Sequence, residues 1–307
     1  MGYLLLAILC GALFSIVFKL GQRFGADGLQ VIFFNYLVAF VFTLLPILAH
    51  IVLDPSVSAG NYVPGPSSWL LAVVQGAFFV TGFTVMDRST RRSGVALTTV
   101  CARASLVLPV LLSWMLLGQP APAWLPVLLT VVAMALIVGP SGPSASSGTS
   151  VYTASSVPSS VLALLGVFLV FGLSDFFLKV VQHTVEKGTA AEPALMESRL
   201  DGLTCIIFLM ASLAALGVCL LSGSFRKHKV TWVTAGWGAL LGIANIGCTS
   251  CMLRALGVLP TGLYYPLYNI GIVLVATLAG LLFFGERLSW RQAAGLALAL
   301  IAIAFSF

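Results

Sequence analysis

From Gly139 to Ser160 the chain reads GPSGPSASSGTSVYTASSVPSS, a run rich in Ser, Gly and Pro without one charged residue. Such composition buries no apolar face and resists regular structure, so it reads as a flexible linker, bounded at 140–158. On either side of it lie apolar runs separated by breakers. Five precede it, at about 2–22, 29–53, 68–87, 94–117 and 122–139, and five follow, at about 159–181, 197–222, 231–253, 262–284 and 288–306. A bilayer core of about 30 Å is crossed by about 20 mostly apolar residues, the length of these runs. The fold expected is all-α and integral to a membrane, with ten transmembrane helices in two five-helix halves, 1–139 and 159–307.

Composition points the same way. Of 307 residues, 60% are hydrophobic and 8% charged, and mean hydropathy is +1.09. A soluble domain has about a quarter of its residues charged, so this chain cannot cover its surface with solvated side chains. The net charge of +6 does not signal nucleic acid here, because Lys and Arg sit beside apolar runs where they anchor loops at a membrane face. All six cysteines lie inside apolar runs, which excludes a disulfide framework. Cys248 and Cys251 form a C-x-x-C, but no second pair or histidine is near it in sequence, so neither a metal nor a cofactor is expected.

The halves also match each other. Phe18-Lys19-Leu20-Gly21-Gln22 corresponds to Leu178-Lys179-Val180-Val181-Gln182, Gln75-Gly76-Ala77 to Trp237-Gly238-Ala239, and Arg92-Ser93-Gly94-Val95 to Ala255-Leu256-Gly257-Val258, in the same order. Five spans per half is an odd number, so the second copy enters the membrane upside down and the pair forms inverted repeats, a mark of many secondary transporters. Connections 1–2, 3–4, 7–8 and 9–10 carry Arg23, Arg88, Arg91, Arg92, Arg226, Lys227, Lys229, Arg287 and Arg291, against Lys187 and Arg254 in the others. Positive charge stays inside, so both termini are expected outside.

The run from Gly280 through Phe284-Gly285-Glu286-Arg287-Leu288-Ser289-Trp290-Arg291-Gln292, followed by Gly295 and an Ala/Leu/Ile helix, resembles the closing helix pair of EamA-type members of the drug/metabolite transporter superfamily. Gly118-Gln119 marks the equivalent point of the first half. The resemblance spans essentially the whole chain and implies a ten-helix transporter with a central cavity. Family members move amino acids, sugars, nucleotide sugars and drugs, and both their termini are usually described as cytoplasmic, the reverse of what the loop charges indicate.

Charged groups inside spans cost several kcal/mol and need a partner, water or an escape to the interface. Arg103 lies about ten residues into the fourth run without an acid in that run, and a guanidinium cannot shed its charge. It is the candidate anion holder, with a carbonyl-capped or Asp-paired arginine as the competing reading. Tyr264, Tyr265, Tyr268 and Asn269 surround Pro266 in the ninth run, and Pro109 follows Arg103 in its inverted counterpart. Proline removes an N–H and leaves backbone polarity that a membrane protein tolerates in a cavity or against another helix. The fourth and ninth runs are therefore expected to cross with Arg103 opposite Tyr265, Tyr268 and Asn269. Asn245 and Lys19 complete the solute-binding candidates, with interhelical packing and snorkelling as their structural alternatives. Asp175 and Lys179, one turn apart, are expected to pair on one helix face as a gating or coupling element. Arg199, between Glu197 and Asp201, is a further gating candidate or an interfacial anchor. Gly238-x-x-x-Gly242 and Gly295-x-x-x-Ala299 read as close helix packing.

No P-loop is present, and His50, His183 and His228 lie at run ends or in loops with no metal-binding spacing, so an enzyme is not expected. The function expected is secondary transport of a small polar metabolite such as an amino acid or organic anion, in the cell inner membrane. A coupling proton or an exchanged solute would accompany it, and the protein would be a monomer or homodimer. The alternatives are a multidrug exporter of lipophilic cations, which needs an unpaired intramembrane carboxylate, and a non-transporting scaffold.

Overall fold

Twelve α-helices make up the computed structural model, which describes residues 1–23, 26–93, 95–138, 157–284 and 289–305; no strand occurs among them. In chain order they are α1 (Gly2–Arg23), α2 (Gly28–Leu53), α3 (Pro66–Ser93), α4 (Val95–Ala104), α5 (Val107–Leu117), α6 (Trp124–Val138), α7 (Val157–Gly188), α8 (Met196–Ser222), α9 (Ser224–Lys227), α10 (Trp232–Val258), α11 (Thr261–Phe284) and α12 (Trp290–Ala304). Among the described residues, six stretches are long and apolar enough to cross a membrane: 28–53, 68–89, 98–117, 161–188, 193–222 and 232–258. Four shorter apolar stretches, 2–14, 124–137, 261–275 and 290–303, fall where the remaining expected runs lie. Most of the linker, 139–156, and Gly285 to Leu288 of the closing motif lie outside the described residues.

Large apolar side chains point outward along these helices, among them Leu5, Leu9 and Leu13 on α1 and Leu45, Leu48 and Val52 on α2. Such continuous apolar exposure suits a lipid surround and not water. Three helices outrun their expected ends. α3 continues to Ser93 instead of 87, α7 to Gly188 instead of 181, and α10 to Val258 instead of 253. Each extension carries Lys or Arg, which end an apolar run without ending a helix, since cations are favoured near the negative pole of the helix dipole.

The chain divides into two compact units, Met1–Val80 with Phe177–Val258, and Thr81–Phe176 with Leu259–Phe307. Each takes helices from both sides of the linker. In the first unit α10 packs on α1 and α2, and α2 on α8. The expected small-residue spacing is what allows this: a Cβ on Gly238 would stand 2.5 Å from Phe34 Cβ, and one on Gly242 2.6 Å from the Asn35 carbonyl oxygen. In a bilayer, where lipid is as apolar as leucine, such backbone approach supplies the van der Waals contact that holds helices together. Asp27 caps the start of α2 by accepting the Gln30 N–H at 3.0 Å.

In the second unit α6 pairs with α12 around Ala133, Met134, Ile137, Ala299 and Ala302, joined by Ile270 and Val273 of α11. Gly295 lies against Ile137 and the Ala133 carbonyl, as its spacing indicated. Ser289 and Gln292 form a capping box at the start of α12. The fourth expected run is not one continuous helix: it breaks at Ser105 and Leu106 into α4 and α5. Pro109 has no N–H for the Ser105 carbonyl, which accepts from Leu108 at 2.9 Å in a tighter turn. The break leaves Arg103 in the last turn of α4.

Candidate functional site

Five of the expected residues lie together in the second unit. Arg103 is half-buried and donates from Nη1 to Asn269 Oδ1 at 3.2 Å, joining α4 to α11 as the sequence indicated. Asn269 is buried, and its Nδ2 donates to the Tyr265 carbonyl at 3.0 Å, so the amide is oriented with its oxygen towards the arginine. Tyr265, fully buried on the same helix, donates its hydroxyl to the Asp175 backbone carbonyl of α7 at 2.5 Å. Tyr268 stacks on Tyr264 with ring centroids 5.4 Å apart and planes 14° from parallel, and Tyr264 meets Tyr265 edge-on.

Asp175 reaches this group through a glycine. A Cβ on Gly172 would stand 2.6 Å from Leu108 Cδ1 and 2.9 Å from the Ser105 carbonyl, so α7 lies directly against the α4–α5 break. Residues three apart on a helix share a face. Asp175 is therefore turned to the same side, and its carboxylate and the Arg103 guanidinium lie within Coulombic reach. The result is a fixed cation and a carboxylate about one rigid Tyr-Asn frame. An arginine has five N–H donors in a planar fork. One goes to Asn269, and the others have no protein acceptor among the described residues. Chemically, that fork can hold a carboxylate or another oxyanion, and Asp175 can accept a proton or a cationic group.

The other candidates lie elsewhere. Lys179 does not pair with Asp175. It is 3% exposed in the first unit and donates to Gln182 Oε1 and to the Leu256 carbonyl, both at 2.7 Å. Leu256 belongs to the last turn of α10, whose carbonyls have no helical N–H to accept, so the ammonium caps that helix end. A carbonyl of a different helix outcompetes a carboxylate one turn away. Gln182 continues the chain by donating to Glu186 Oε2 at 3.0 Å.

Arg199 is not the cation that Glu197 and Asp201 hold. Arg254 takes that place, with Nε 2.6 Å from Glu197 Oε2 and Nη2 2.7 Å from Asp201 Oδ1. The two acids are four residues apart on one face of α8, and a residue midway between them points away from it. Asn245 donates to Asn35 Oδ1 at 3.3 Å and accepts from Thr249, tying α10 to α2. The backbone of Lys19 lies in α1, and its side chain is outside the described residues. Asn35, Gln182 and Glu186 were not among the sequence candidates. Gln182 alone carried a signal, as the partner of Gln22 in the repeat.

None of the six cysteines is in a disulfide, and among the described residues no cluster of His, Cys, Asp and Glu suits a metal. No family model matches the chain. It is 22% identical over 308 residues to an uncharacterized protein of Haemophilus influenzae, covering 98% of this chain and 95% of that one. It is also similar in fold to a protein of known crystal structure, with a TM-score of 0.71 and 12% identity, over 98% of this chain and 94% of the other. At that identity the likeness is one of fold.

Proposed function

We propose that the chain is a secondary transporter of a small anionic or zwitterionic metabolite, an amino or organic acid, with Arg103 holding the anionic group. The observation that supports this most is the guanidinium of Arg103: permanently charged, oriented by Asn269 Oδ1, and with its remaining donors free of protein acceptors among the described residues. A purely structural arginine in a span is expected to be enclosed by acceptors, because each unsatisfied donor in hydrocarbon is costly. Asp175, within reach of the same charge, is the candidate for proton coupling. Alternating access would come from two inverted five-helix halves, as in the EamA-type transporters that the closing motif resembles, in the inner membrane with both termini outside.

The test is uptake into proteoliposomes and ligand-induced thermal shift with a panel of carboxylates, comparing the unchanged chain with Arg103→Gln and Arg103→Lys. Arg103→Lys keeps the charge and loses the fork, so it should recover part of the affinity for a carboxylate. Equal transport by a folded Arg103→Gln variant would retire the anion site. Orientation is tested separately: single cysteines near residues 58 and 90 in a cysteine-free background should label from outside and inside respectively.

Export of lipophilic cations is the second reading. What favours it is that Lys179 is engaged by Gln182 and Leu256 and does not neutralise Asp175. Against it stands Arg103 within Coulombic reach of that carboxylate. Asp175→Asn should abolish cation export if this reading holds and leave anion binding in place if the first one does.

A further inference from the structure

Between α8 and α10 the chain reads Ser224-Phe225-Arg226-Lys227-His228-Lys229-Val230-Thr231-Trp232, four consecutive basic or titratable residues beside aromatic ones. Gly223, with φ +67°, turns the chain out of α8, a left-handed geometry that glycine adopts without strain. The following turn, α9, is held by α2. Ser224, 3% exposed, gives its hydroxyl to Asp27 Oδ1 at 2.9 Å. Gln30, wholly buried, donates from Nε2 to the Ser224 carbonyl at 3.4 Å and the His228 carbonyl at 2.9 Å, clasping both ends of the turn. Phe225 packs edge-on against Phe33. The backbone and the apolar side chain are thus fixed inward, and Arg226, Lys227, His228 and Lys229 are all exposed.

Little nearby charge offsets them. Asp27 spends its carboxylate on the Gln30 N–H and the Ser224 hydroxyl, with His228 Nε2 3.9 Å from its other oxygen. Lys227 folds back to the Ser222 carbonyl at 2.9 Å, capping α8, which leaves Arg226 and Lys229 without a protein acceptor among the described residues. The rim of this cationic shelf is apolar: Leu221 is 92% and Trp232 94% exposed. Exposed tryptophan and leucine flanking fixed cations match the headgroup level of a bilayer, where rings sit in the interface, acyl chains cover leucine and anionic headgroups meet Lys and Arg.

We infer that the Gly223–Trp232 shelf is a binding site for the headgroup of an anionic phospholipid, with Arg226 and Lys229 as the phosphate-facing cations. Each such cation near an anionic surface contributes roughly a fivefold factor in association. The test uses the full-length protein in neutral detergent, offered equal amounts of phosphatidylglycerol and phosphatidylcholine, with co-bound lipid counted by native mass spectrometry. The unchanged chain should retain phosphatidylglycerol preferentially. R226Q/K229Q, which spares the cap made by Lys227, should lower that preference by roughly 25-fold, and R226K/K229R should restore it. R88Q, which removes an exposed cation elsewhere, should leave it unchanged. Undiminished preference in R226Q/K229Q would overturn the site and leave the cations a role in orientation alone, and an equal loss in R88Q would reduce it to general charge. Displacement of the lipid by an equal concentration of glycerol phosphate would overturn the lipid assignment in favour of a free phosphate.

Discussion

Lys179 of the first unit and Arg103 of the second unit are alike in sequence, each a basic residue within an apolar run, yet they end in opposite conditions. Lys179 is 3% exposed and spends two of its three donors on Gln182 Oε1 and the Leu256 carbonyl. Arg103 is half-buried and spends one donor of five, on Asn269 Oδ1. The first cation is used up in joining α7 to the end of α10. The other is aimed and left open. Burial of a charge by itself therefore does not separate the two; the number of donors that the protein leaves uncommitted does.

The largest effect should follow from breaking the closed member of the pair. Lys179→Met would leave the Leu256 carbonyl and Gln182 Oε1 without their donor, and each buried acceptor orphaned costs about 1–3 kcal/mol. A loss of about 2–4 kcal/mol is expected, read as a lower unfolding midpoint in detergent. Solute affinity of the folded fraction should stay within about twofold. If affinity collapsed while the midpoint held, Lys179 would be a binding group and the contrast with Arg103 would disappear.

Arg103→Gln should behave in the reverse sense. Losing a charge-assisted hydrogen bond to the solute costs about 1.5–3 kcal/mol, or one to two orders of magnitude in affinity. The unfolding midpoint without solute should move less than in Lys179→Met, since one buried acceptor, Asn269 Oδ1, loses its donor where Lys179→Met orphans two, and the attraction to Asp175 goes with it. Isothermal titration against the best carboxylate of the panel, beside a thermal scan, separates the two terms.

How far these conditions could be read in advance depends on where the partner comes from. Arg103 facing Asn269 was legible because Pro109 and Pro266 mark where two helices expose backbone polarity, and tyrosines and an asparagine cluster at one of them. The six long apolar stretches and the Gly238/Gly242 contact were legible because apolar length and small-residue spacing act within one helix. The partner of Lys179 was not, because a carbonyl at the end of α10 has no residue-type signature, whereas Asp175 stood one turn away in plain view. Arg254 was assigned to a loop because its charge ended an apolar run. The helix goes on to Val258, and that places the guanidinium opposite the i, i+4 pair of acids on α8. The role of Gly172 needed the α4–α5 break to be known first.

Asn269→Asp sharpens the comparison by turning the open cation into a closed one. An aspartate there would give Arg103 a carboxylate in place of an amide oxygen, and an intramolecular anion would compete with the solute for the same fork. Affinity should fall by about tenfold, or 1.4 kcal/mol. Stability should change by less than about 1 kcal/mol, because the gain in attraction is offset by the cost of keeping another charge from water. An unchanged affinity would mean that the donors facing Asn269 and those facing the solute are independent, and that Arg103 orientation does not matter.

The smallest effect belongs to the third basic residue, Arg254, which is closed like Lys179 but lies near the C-terminal end of α10 with exposed partners. Its side chain is 16% exposed, against 58% for Glu197 and 42% for Asp201. Two carboxylates share one guanidinium, so removing one leaves the other in place, and exposed carboxylates are well screened by water and salt. Glu197→Gln should cost about 0.5 kcal/mol or less, an amount typical of an exposed ion pair, and the difference should shrink further at high ionic strength. Asp201→Asn, at the less exposed acid, should cost somewhat more. The measurement is the unfolding midpoint of each variant at low and at high salt. A loss from Glu197→Gln as large as that from Lys179→Met, and insensitive to salt, would mean that Arg254 is sealed from solvent in the working protein. The distinction between closed cations that hold helices together and those that only decorate their ends would then fail.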